Sequence, residues 1–88
     1  MSLDNYTYIL HCADNTYYTG WTNDIAARVS AHNSGKGAKY TRTRGPVKLV
    51  YCQASESRSQ AQQLEYQIKQ MSRAQKERLI QAFQNLLN

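Results

Sequence analysis

Two basic side chains in the first helical segment of the sequence have the types and spacing that phosphate chemistry needs. Arg28 and His32 are four residues apart, so a helix places them on one face. A guanidinium binds phosphate through two parallel charged hydrogen bonds, and histidine exchanges protons near neutral pH. Their shared face borders the apolar pair Ile25 and Val29, which predicts that both emerge at the edge of a helix–sheet interface. The alternative is an exposed pair without a chemical role.

A carboxylate and two tyrosines extend the set of candidate chemical groups. Glu65 borders the apolar stripe of a later helix, and a single carboxylate can hold Mg²⁺ when waters and substrate phosphates complete the coordination. Tyr8 and Tyr18 lie on two β segments that a short turn would bring together, and tyrosine hydroxyls can bind phosphate, orient water or transfer a proton. Taken singly, Glu65 could be a solvated helix residue, and each tyrosine could serve only to pack a strand.

A glycine interrupts the second of these β segments. The stretch YYTGWT, residues 17–22, has the aromatic and β-branched residues that are typical of strands. Glycine weakens strand pairing and contributes no side chain to packing, so Gly20 marks a bulge or a place where another group approaches the backbone.

The middle of the chain carries positive charge without compensation. No acidic residue lies between Gly35 and Lys48, and the whole chain has a formal net charge of +5 and an isoelectric point near 9.4. Such a cluster is the electrostatic footprint of a protein that meets phosphates, although a solvated basic loop would have the same composition. The residues predicted to contact a polyanionic substrate are Lys36, Lys39, Arg42 and Arg44.

Three β segments must position these groups. Two aromatic and β-branched runs, residues 6–13 and 16–22, flank the turn signal Asp14-Asn15 and predict a β-hairpin. Residues 47–53 predict a third strand, which is a candidate neighbour for one strand of the hairpin. With the helices below, the order is β-β-α-β-α-α, an α+β arrangement with a small sheet flanked by helices.

The first helix has recognisable start and stop signals. Thr22 or Asn23 can cap it, and Asp24 favours its positive N-terminal end. It should end near residues 33–35, where glycine supplies a left-handed C-terminal position.

Two more helices are predicted at the end of the chain. Ser57 with Gln60, and Ser72 with Gln75, have the capping-box spacing that starts a helix. The apolar stripes at helical periodicity are Ala61, Leu64, Ile68 and Met71 in the first, and Leu79, Ile80, Phe83, Leu86 and Leu87 in the second.

Length and composition bound the class of protein. The 88 residues suffice for one domain, and 41% hydrophobic residues exclude a disordered composition. No apolar run approaches the ~18 residues of a membrane span, and the N-terminus lacks the pattern of a secretory signal, which favours the cytoplasm. Cys12 and Cys52 are too few and too widely spaced for a zinc site, and we expect them to be reduced and buried.

Five motifs in order resemble the GIY-YIG nuclease domain: YTYIL with YYTGWTN, RVSAHN, NSGKGAKYTR, PVKLVY and EYQIKQMSRAQKERLI. Residues 6–8 and 18–20 stand at the two triplets that give the family its name. The first retains only its tyrosine, with Tyr6 and Thr7 in place of glycine and isoleucine, and the second has Thr19 in place of isoleucine. The resemblance is closest to small stand-alone bacterial proteins. It defines a nuclease-like domain over residues 5–80, and residues 81–88 end the C-terminal helix of the same domain.

The resemblance implies a fold, an activity and a set of roles. The fold is a small three-stranded antiparallel sheet flanked by helices, and the activity is metal-dependent cleavage of phosphodiester bonds in DNA, with DNA repair or recombination as the setting. One divalent metal ion, Mg²⁺ or Mn²⁺, is the implied cofactor, and DNA is the implied partner. The resemblance leaves open whether RNA is also a substrate and whether the chain has a protein partner. No membrane partner is implied.

The roles implied by resemblance are as follows: Tyr8 is a candidate general base, Tyr18 binds water or phosphate, Arg28 stabilises the phosphate, His32 holds a position occupied by His or Tyr, Glu65 ligates the metal, and Gly20 leaves room beside Tyr18. Whether Tyr8 or His32 accepts the proton stays open at this point.

Two other classes of function compete with a nuclease. A nucleic-acid-binding module without catalysis would use the basic segment and the hairpin aromatics, but it would not need the Glu65 carboxylate. A protein-interaction module would offer the stripe from Leu79 to Leu87 to a partner, although that stripe is more simply explained as core.

Overall fold

The structure, a computed structural model, describes residues 3–87, and it has the predicted element order. Met1 and Ser2, at the start of the segment searched for a secretory signal, and Asn88, at the end of the predicted last helix, lie outside the described residues. The elements are β1 (Asn5–Cys12), β2 (Tyr17–Thr22), α1 (Ile25–Asn33), β3 (Val47–Ser55), α2 (Arg58–Lys69) and α3 (Arg73–Leu87).

The sheet has three antiparallel strands in the order β2-β1-β3, which confirms the predicted fold class. The central strand β1 pairs on both sides, so Tyr8 lies opposite Gly20 on β2 and opposite Cys52 on β3. Asp14 and Asn15 form the hairpin turn: the Thr16 N–H donates to Asp14 Oδ1 at 3.2 Å, and Asn15 adopts a φ of 67°.

Helices cover both faces of the sheet, so β1 is buried on both sides. Residues 7–10 are all buried, and successive side chains alternate between the faces. Ile9 packs with Ile68 of α2 and Ile80 of α3. Tyr8 and Leu10 belong to a second cluster, against which Ile25 and Val29 of α1 pack. The predicted apolar stripe of α1 is therefore confirmed.

The start of α1 differs from the prediction. Its N-cap is Asp24, whose carboxylate accepts a hydrogen bond from the Ala27 N–H at 3.1 Å, and not Thr22 or Asn23. Thr22 instead positions the capping residue, because its hydroxyl oxygen accepts a hydrogen bond from the Asp24 N–H at 3.1 Å. The predicted end is confirmed at Asn33, and Gly35 follows with a φ of 78°.

Both predicted serine caps are present, but only the pair of Ser72 and Gln75 forms the complete capping box. The Gln60 N–H donates to Ser57 Oγ at 3.1 Å, and the Gln75 N–H donates to Ser72 Oγ at 3.2 Å. The Gln75 side chain returns a bond from the Ser72 N–H at 2.8 Å, whereas the Gln60 side chain accepts from the Glu56 N–H, one residue earlier in the chain.

Strand β3 is longer than predicted. It extends to Ser55, two residues beyond the predicted end at residue 53, because Ala54 and Ser55 pair with Tyr6 and Asn5 of the central strand. Small side chains such as those of Ala54 and Ser55 carry little strand propensity, so pairing with the neighbouring strand decides their conformation.

The prediction that Leu86 and Leu87 belong to the core is wrong. They are 85% and 70% exposed, while Leu79, Ile80 and Phe83 of the same stripe pack against the sheet. Periodicity predicts which face of a helix is apolar, but not how many of its turns have another element beside them.

Both cysteines are free, Cys12 buried and Cys52 half-buried, and burial raises the pKa of each thiol.

Over residues 3–87, no helix is both long enough and apolar enough to cross a membrane.

Candidate active site

Three elements bring the predicted chemical groups to one place on the α1 side of the sheet. Tyr8 lies on the central strand β1, Tyr18 on β2, and Arg28 and His32 on α1. The Tyr18 ring centroid is 6.4 Å from that of Tyr8 and 5.2 Å from that of His32. The charges of Arg28 and of Glu65 on α2 are close enough to change the pKa of Tyr8.

A chain of hydrogen-bonding atoms runs through the buried part of the site. Tyr8 Oη lies 3.0 Å from His32 Nε2, and His32 Nδ1 lies 2.6 Å from Thr41 Oγ1. Thr41 Oγ1 is also 3.0 Å from the carbonyl oxygen of Ala38. Tyr8, His32 and Thr41 are each 1% exposed, so these contacts are shielded from water.

Gly20 is needed because the Tyr8 phenol lies against its backbone. A Cβ atom at Gly20 would be 2.6 Å from Tyr8 Oη and 3.2 Å from Tyr18 Cε2. The group that approaches Gly20 is therefore the directly opposite tyrosine of β1, and a side chain there would displace the hydroxyl that contacts His32.

The electrostatic environment keeps both proton-exchanging groups neutral near pH 7. Burial raises the pKa of Tyr8 above its usual value of 10.0, although the neighbouring Arg28 guanidinium opposes this by favouring the phenolate. Burial, together with the charge of Arg28, lowers the pKa of His32 below its usual value of 6.5. A neutral imidazole therefore faces a neutral phenol.

Among residues 3–87, Glu65 is the only carboxylate whose charge acts on the Tyr8 phenol. Its side chain is partly buried, and it forms an ion pair with Lys69 Nζ at 3.2 Å one helical turn later. Within residues 3–87, no three His, Cys, Asp or Glu side chains are grouped as a metal site made of protein ligands would require. The donor set fits a hard divalent cation such as Mg²⁺, which keeps several waters and needs only one or two carboxylates.

The predicted substrate-binding residues divide into two kinds. Lys36, Lys39 and Arg42 are exposed on the segment between α1 and β3. Arg44 is engaged within the protein instead: it forms an ion pair with Asp14 at 3.0 Å, donates to the Tyr40 carbonyl at 2.7 Å, and stacks 4.0 Å from the Tyr40 ring centroid. It ties this segment to the hairpin turn, which competes with its predicted role in binding substrate.

Sequence reasoning missed Gly37, Tyr40 and Thr41 in this segment. A Cβ atom at Gly37 would lie 2.7 Å from His32 Cγ and 2.8 Å from His32 Cα, and the Tyr40 ring centroid is 5.9 Å from that of Tyr18. A polar loop has no periodicity to show which residues point inward. The available signal was the second glycine in GKG, since an extra glycine in a loop can mark close backbone approach.

Comparison with known proteins gives a family match over most of the chain. Residues 4–78 match the family described as the GIY-YIG catalytic domain. A UPF0213 protein of Clostridium perfringens is 58% identical over 76 residues, which covers 86% of this chain and 82% of that protein. A UPF0213 protein of Natronomonas pharaonis is 52% identical over 80 residues, 91% of this chain and 94% of that protein.

Solved structures agree with these matches. The solution NMR structure of a UPF0213 protein of Bacillus halodurans has a TM-score of 0.59 and 49% identity, and it covers 89% of this chain and 83% of that one. The solution NMR structure of a protein of E. faecalis has a TM-score of 0.61 and 39% identity, and it covers 91% of this chain and 85% of that one.

Proposed function

The chain belongs to the GIY-YIG catalytic domain family, a nuclease fold, and from this premise we propose that it is an endonuclease that hydrolyses phosphodiester bonds in DNA with one divalent metal ion. The observation that carries the proposal is the buried Tyr8–His32 contact beside the Arg28 guanidinium. Packing alone does not need a buried tyrosine–histidine pair next to a positive charge. DNA repair or recombination is the biological setting that such an activity predicts.

Arg28 is proposed to stabilise the charge that develops on the scissile phosphate. A phosphoryl group under attack gains negative charge on its oxygens, and a guanidinium fixed beside the attacking group opposes that charge without having to reorganise. Tyr18, whose ring is adjacent to those of Tyr8 and Tyr40, is proposed to contact the same phosphate or the attacking water.

Glu65 is proposed to hold the metal. A bound Mg²⁺ or Mn²⁺ would supply positive charge to the phosphate and acidify a bound water. The Glu65 carboxylate is partly buried, and its one ion pair within residues 3–87 is with the half-exposed Lys69. A metal ion therefore has to displace only this surface ion pair. Such surface pairs are worth about 0–1 kcal/mol.

Tyr8 and His32 are proposed to remove the proton from the attacking water together. Tyr8 alone is a poor base near pH 7 because burial raises its pKa. If Tyr8 passes its own proton to His32 while it takes one from water, no free phenolate has to form. Whether Tyr8 Oη or His32 Nε2 is the hydrogen-bond donor in the resting site therefore decides if this transfer can occur.

The test is cleavage of supercoiled plasmid by the purified protein, with Mg²⁺, with Mn²⁺ and with a chelator. The proposal expects nicking that needs the metal and that Glu65→Gln abolishes, because the change keeps size and helix propensity but removes the charge that attracts the cation. Glu65→Gln should bind DNA as the parent does or slightly more tightly. Glu77→Gln, on the exposed surface of α3, is the matched control and should cleave normally.

Two outcomes would contradict the proposal. Metal-dependent cleavage at the parent rate by Glu65→Gln would remove this carboxylate from the site. Binding of DNA without cleavage of plasmid, single strands or RNA in either metal would favour the module that binds nucleic acid without catalysis.

A further inference from the structure

We propose that Thr41 is a positioning residue: its hydroxyl fixes the proton of His32 on Nδ1 and so leaves Nε2 as a bare acceptor for the Tyr8 hydroxyl. The hydrogen-bond pattern stands independently of any activity. Its catalytic consequence rests on the proposed function.

The Ala38 carbonyl sets the direction of the first bond. A threonine hydroxyl has one proton to donate and lone pairs with which to accept. Thr41 Oγ1 lies 3.0 Å from the Ala38 carbonyl oxygen, which can only accept, and we assign the hydroxyl proton to this contact. The same carbonyl also accepts from the Thr41 N–H at 3.1 Å, since it has two lone pairs. Only lone pairs of Thr41 Oγ1 remain to face His32 Nδ1 at 2.6 Å. That contact is a hydrogen bond only if Nδ1 carries a proton and donates it.

The ring then has no second proton to place. Burial and the Arg28 charge lower the pKa of His32, which keeps the imidazole neutral with a single N–H near pH 7. Because Nδ1 holds that proton, Nε2 accepts, and the Tyr8 hydroxyl donates to it over 3.0 Å. The other charged or titratable groups that face the ring are Arg28 on its own helix and Tyr18 on β2, and neither competes for Nε2 among the hydrogen bonds of the described residues.

The segment that carries Thr41 is fixed at both ends. The Asn33 side chain donates to the Val47 carbonyl at 3.2 Å and accepts from the Val47 N–H at 2.7 Å. Within the segment, three residues before Val47, the Arg44 carbonyl accepts from the Ala13 N–H of the hairpin turn at 2.9 Å. These contacts hold the segment close to His32, so the threonine hydroxyl is placed in advance of any ligand.

The consequence for hydrolysis is a balanced proton path. The attacking water gives a proton to Tyr8 Oη as the tyrosine gives its own to His32 Nε2, and the hydroxide oxygen forms a bond to phosphorus. The bond from phosphorus to the leaving oxygen breaks with its electron pair, and that oxygen takes a proton from solvent. His32 is left as the imidazolium, which passes its Nε2 proton back to Tyr8 Oη as Tyr8 releases a proton to the water that replaces the product. With the opposite tautomer, Nε2–H would donate to Tyr8 and could accept nothing.

The direct test is ¹⁵N NMR of the histidine side chains at pH 7.5, without metal or DNA. The proposal expects His32 Nδ1 to be protonated and Nε2 to be bare in the unaltered protein. Thr41→Val removes the accepting oxygen at nearly constant volume and should transfer much of the population to the Nε2–H tautomer. Thr41→Ser keeps the hydroxyl and should retain the Nδ1–H tautomer, and His11 serves as the internal reference.

Activity provides the second readout. Thr41→Val should lower kcat by roughly 10–100-fold at unchanged KM, a part of the ~10²–10⁴-fold that a proton-transferring group contributes, while Thr41→Ser should stay within about threefold of the parent. A thermal melt and an amide spectrum establish that the variant is folded.

Three results would overturn the proposal. The first is an Nε2–H tautomer in the unaltered protein, which needs no variant at all. The second is an unchanged tautomer in folded Thr41→Val. The third is equal loss of activity in Thr41→Ser and Thr41→Val. A parent that does not cleave any nucleic acid refutes the proposed function instead, and the tautomer measurements still decide the role of Thr41.

Discussion

Tyr8 and Ile9 are neighbours in the chain, yet their side chains lie on opposite faces of the sheet in surroundings that differ in kind. Ile9 is enclosed by apolar side chains from α2, α3 and β3. Tyr8 lies within a chain of polar contacts that passes through His32 to Thr41. Apolar contact is non-directional and tolerant, whereas a buried polar network stabilises only when every partner is in place. The Ile9 face therefore contributes apolar packing, whereas the Tyr8 face combines an apolar cluster with a polar network whose geometry must be exact.

The largest effect should come from the apolar face. Ile68→Ala removes a fully buried side chain beside Ile9 and should lower the free energy of unfolding by about 2–5 kcal/mol. Urea denaturation measures it, and Leu87→Ala, at an exposed position, should change stability by no more than about 0.5 kcal/mol. If the faces are separate, the Tyr8–His32 contact and the cleavage rate per folded molecule stay unchanged. A large loss of kcat in folded Ile68→Ala would break the comparison.

The reverse result is expected from Arg28 on the α1 side. Arg28→Ala should lower the cleavage rate by roughly 10²–10³-fold, because the guanidinium acts where charge develops in the transition state, and it should weaken DNA binding only modestly. Single-turnover cleavage, DNA affinity and thermal melting separate these effects. Arg78→Ala, on the exposed surface of α3, is the matched control. Comparable losses in both variants would point to general charge rather than a site.

Gly20 tests how closely the polar face is fitted. Gly20→Ala places a methyl group against the Tyr8 hydroxyl, and the resulting shift should cost about 1–3 kcal/mol of stability, with reduced cleavage and circular dichroism like that of the parent. Gly45→Ala adds a methyl group where nothing lies within 4 Å and serves as the control. Parental cleavage by Gly20→Ala would show that the Tyr8–His32 contact tolerates displacement.

The polar face should also make stability depend on pH. The folded chain holds His32 at a pKa lowered by burial, so the unfolded chain takes up this proton first as pH falls through 6.5. The stability linked to His32 is complete above that pH and is lost progressively as pH falls toward the lowered value. Urea denaturation at pH 7.5, 6.5 and 5.5 should show this loss in the parent and in His11→Gln. A loss of the same size in His32→Gln would assign it to another group.

The smallest effects are expected from single charges on the segment between α1 and β3. Replacing Lys36, Lys39 or Arg42 by Ala should each reduce the slope of log affinity against log salt by up to about 0.9, if each contacts one phosphate of duplex DNA. Arg44→Ala should change the slope less, because its guanidinium already pairs with Asp14. Equal slope changes in all four would mean that Arg44 leaves Asp14 when DNA binds.

The elements of the fold were predictable because each has a local signal. Alternation and turn residues marked the hairpin, and the capping boxes with Ile68 and Ile80 at helical spacing marked the last two helices. The exposure of Leu86 depends on what lies beside the last turn of α3, which no local pattern encodes.

The site was predictable only in part, for the same reason. Helical spacing put Arg28 and His32 on one face, and the resemblance to a family supplied Tyr8 and Glu65, whose proposed roles stay predictions. Thr41 could not be found, since its importance arises from a loop contact nine residues away from His32. A residue that orients another residue has no spacing rule of its own.

The position of Tyr8 on the central strand, paired on both sides, has a consequence for the order in which parts of the molecule open. Strands bonded to two neighbours exchange their amide protons only in the rarest, most extensive fluctuations, whereas segments held by turns open often. Thr41 lies in a segment whose backbone bonds are mostly short-range turns, such as that from the Thr41 N–H to the Ala38 carbonyl at 3.1 Å. Tyr8 and Thr41, the two ends of the proton path, thus lie in parts of the fold that open rarely and often, respectively. Warming should disconnect the path at Thr41, while the sheet that carries Tyr8 is still intact.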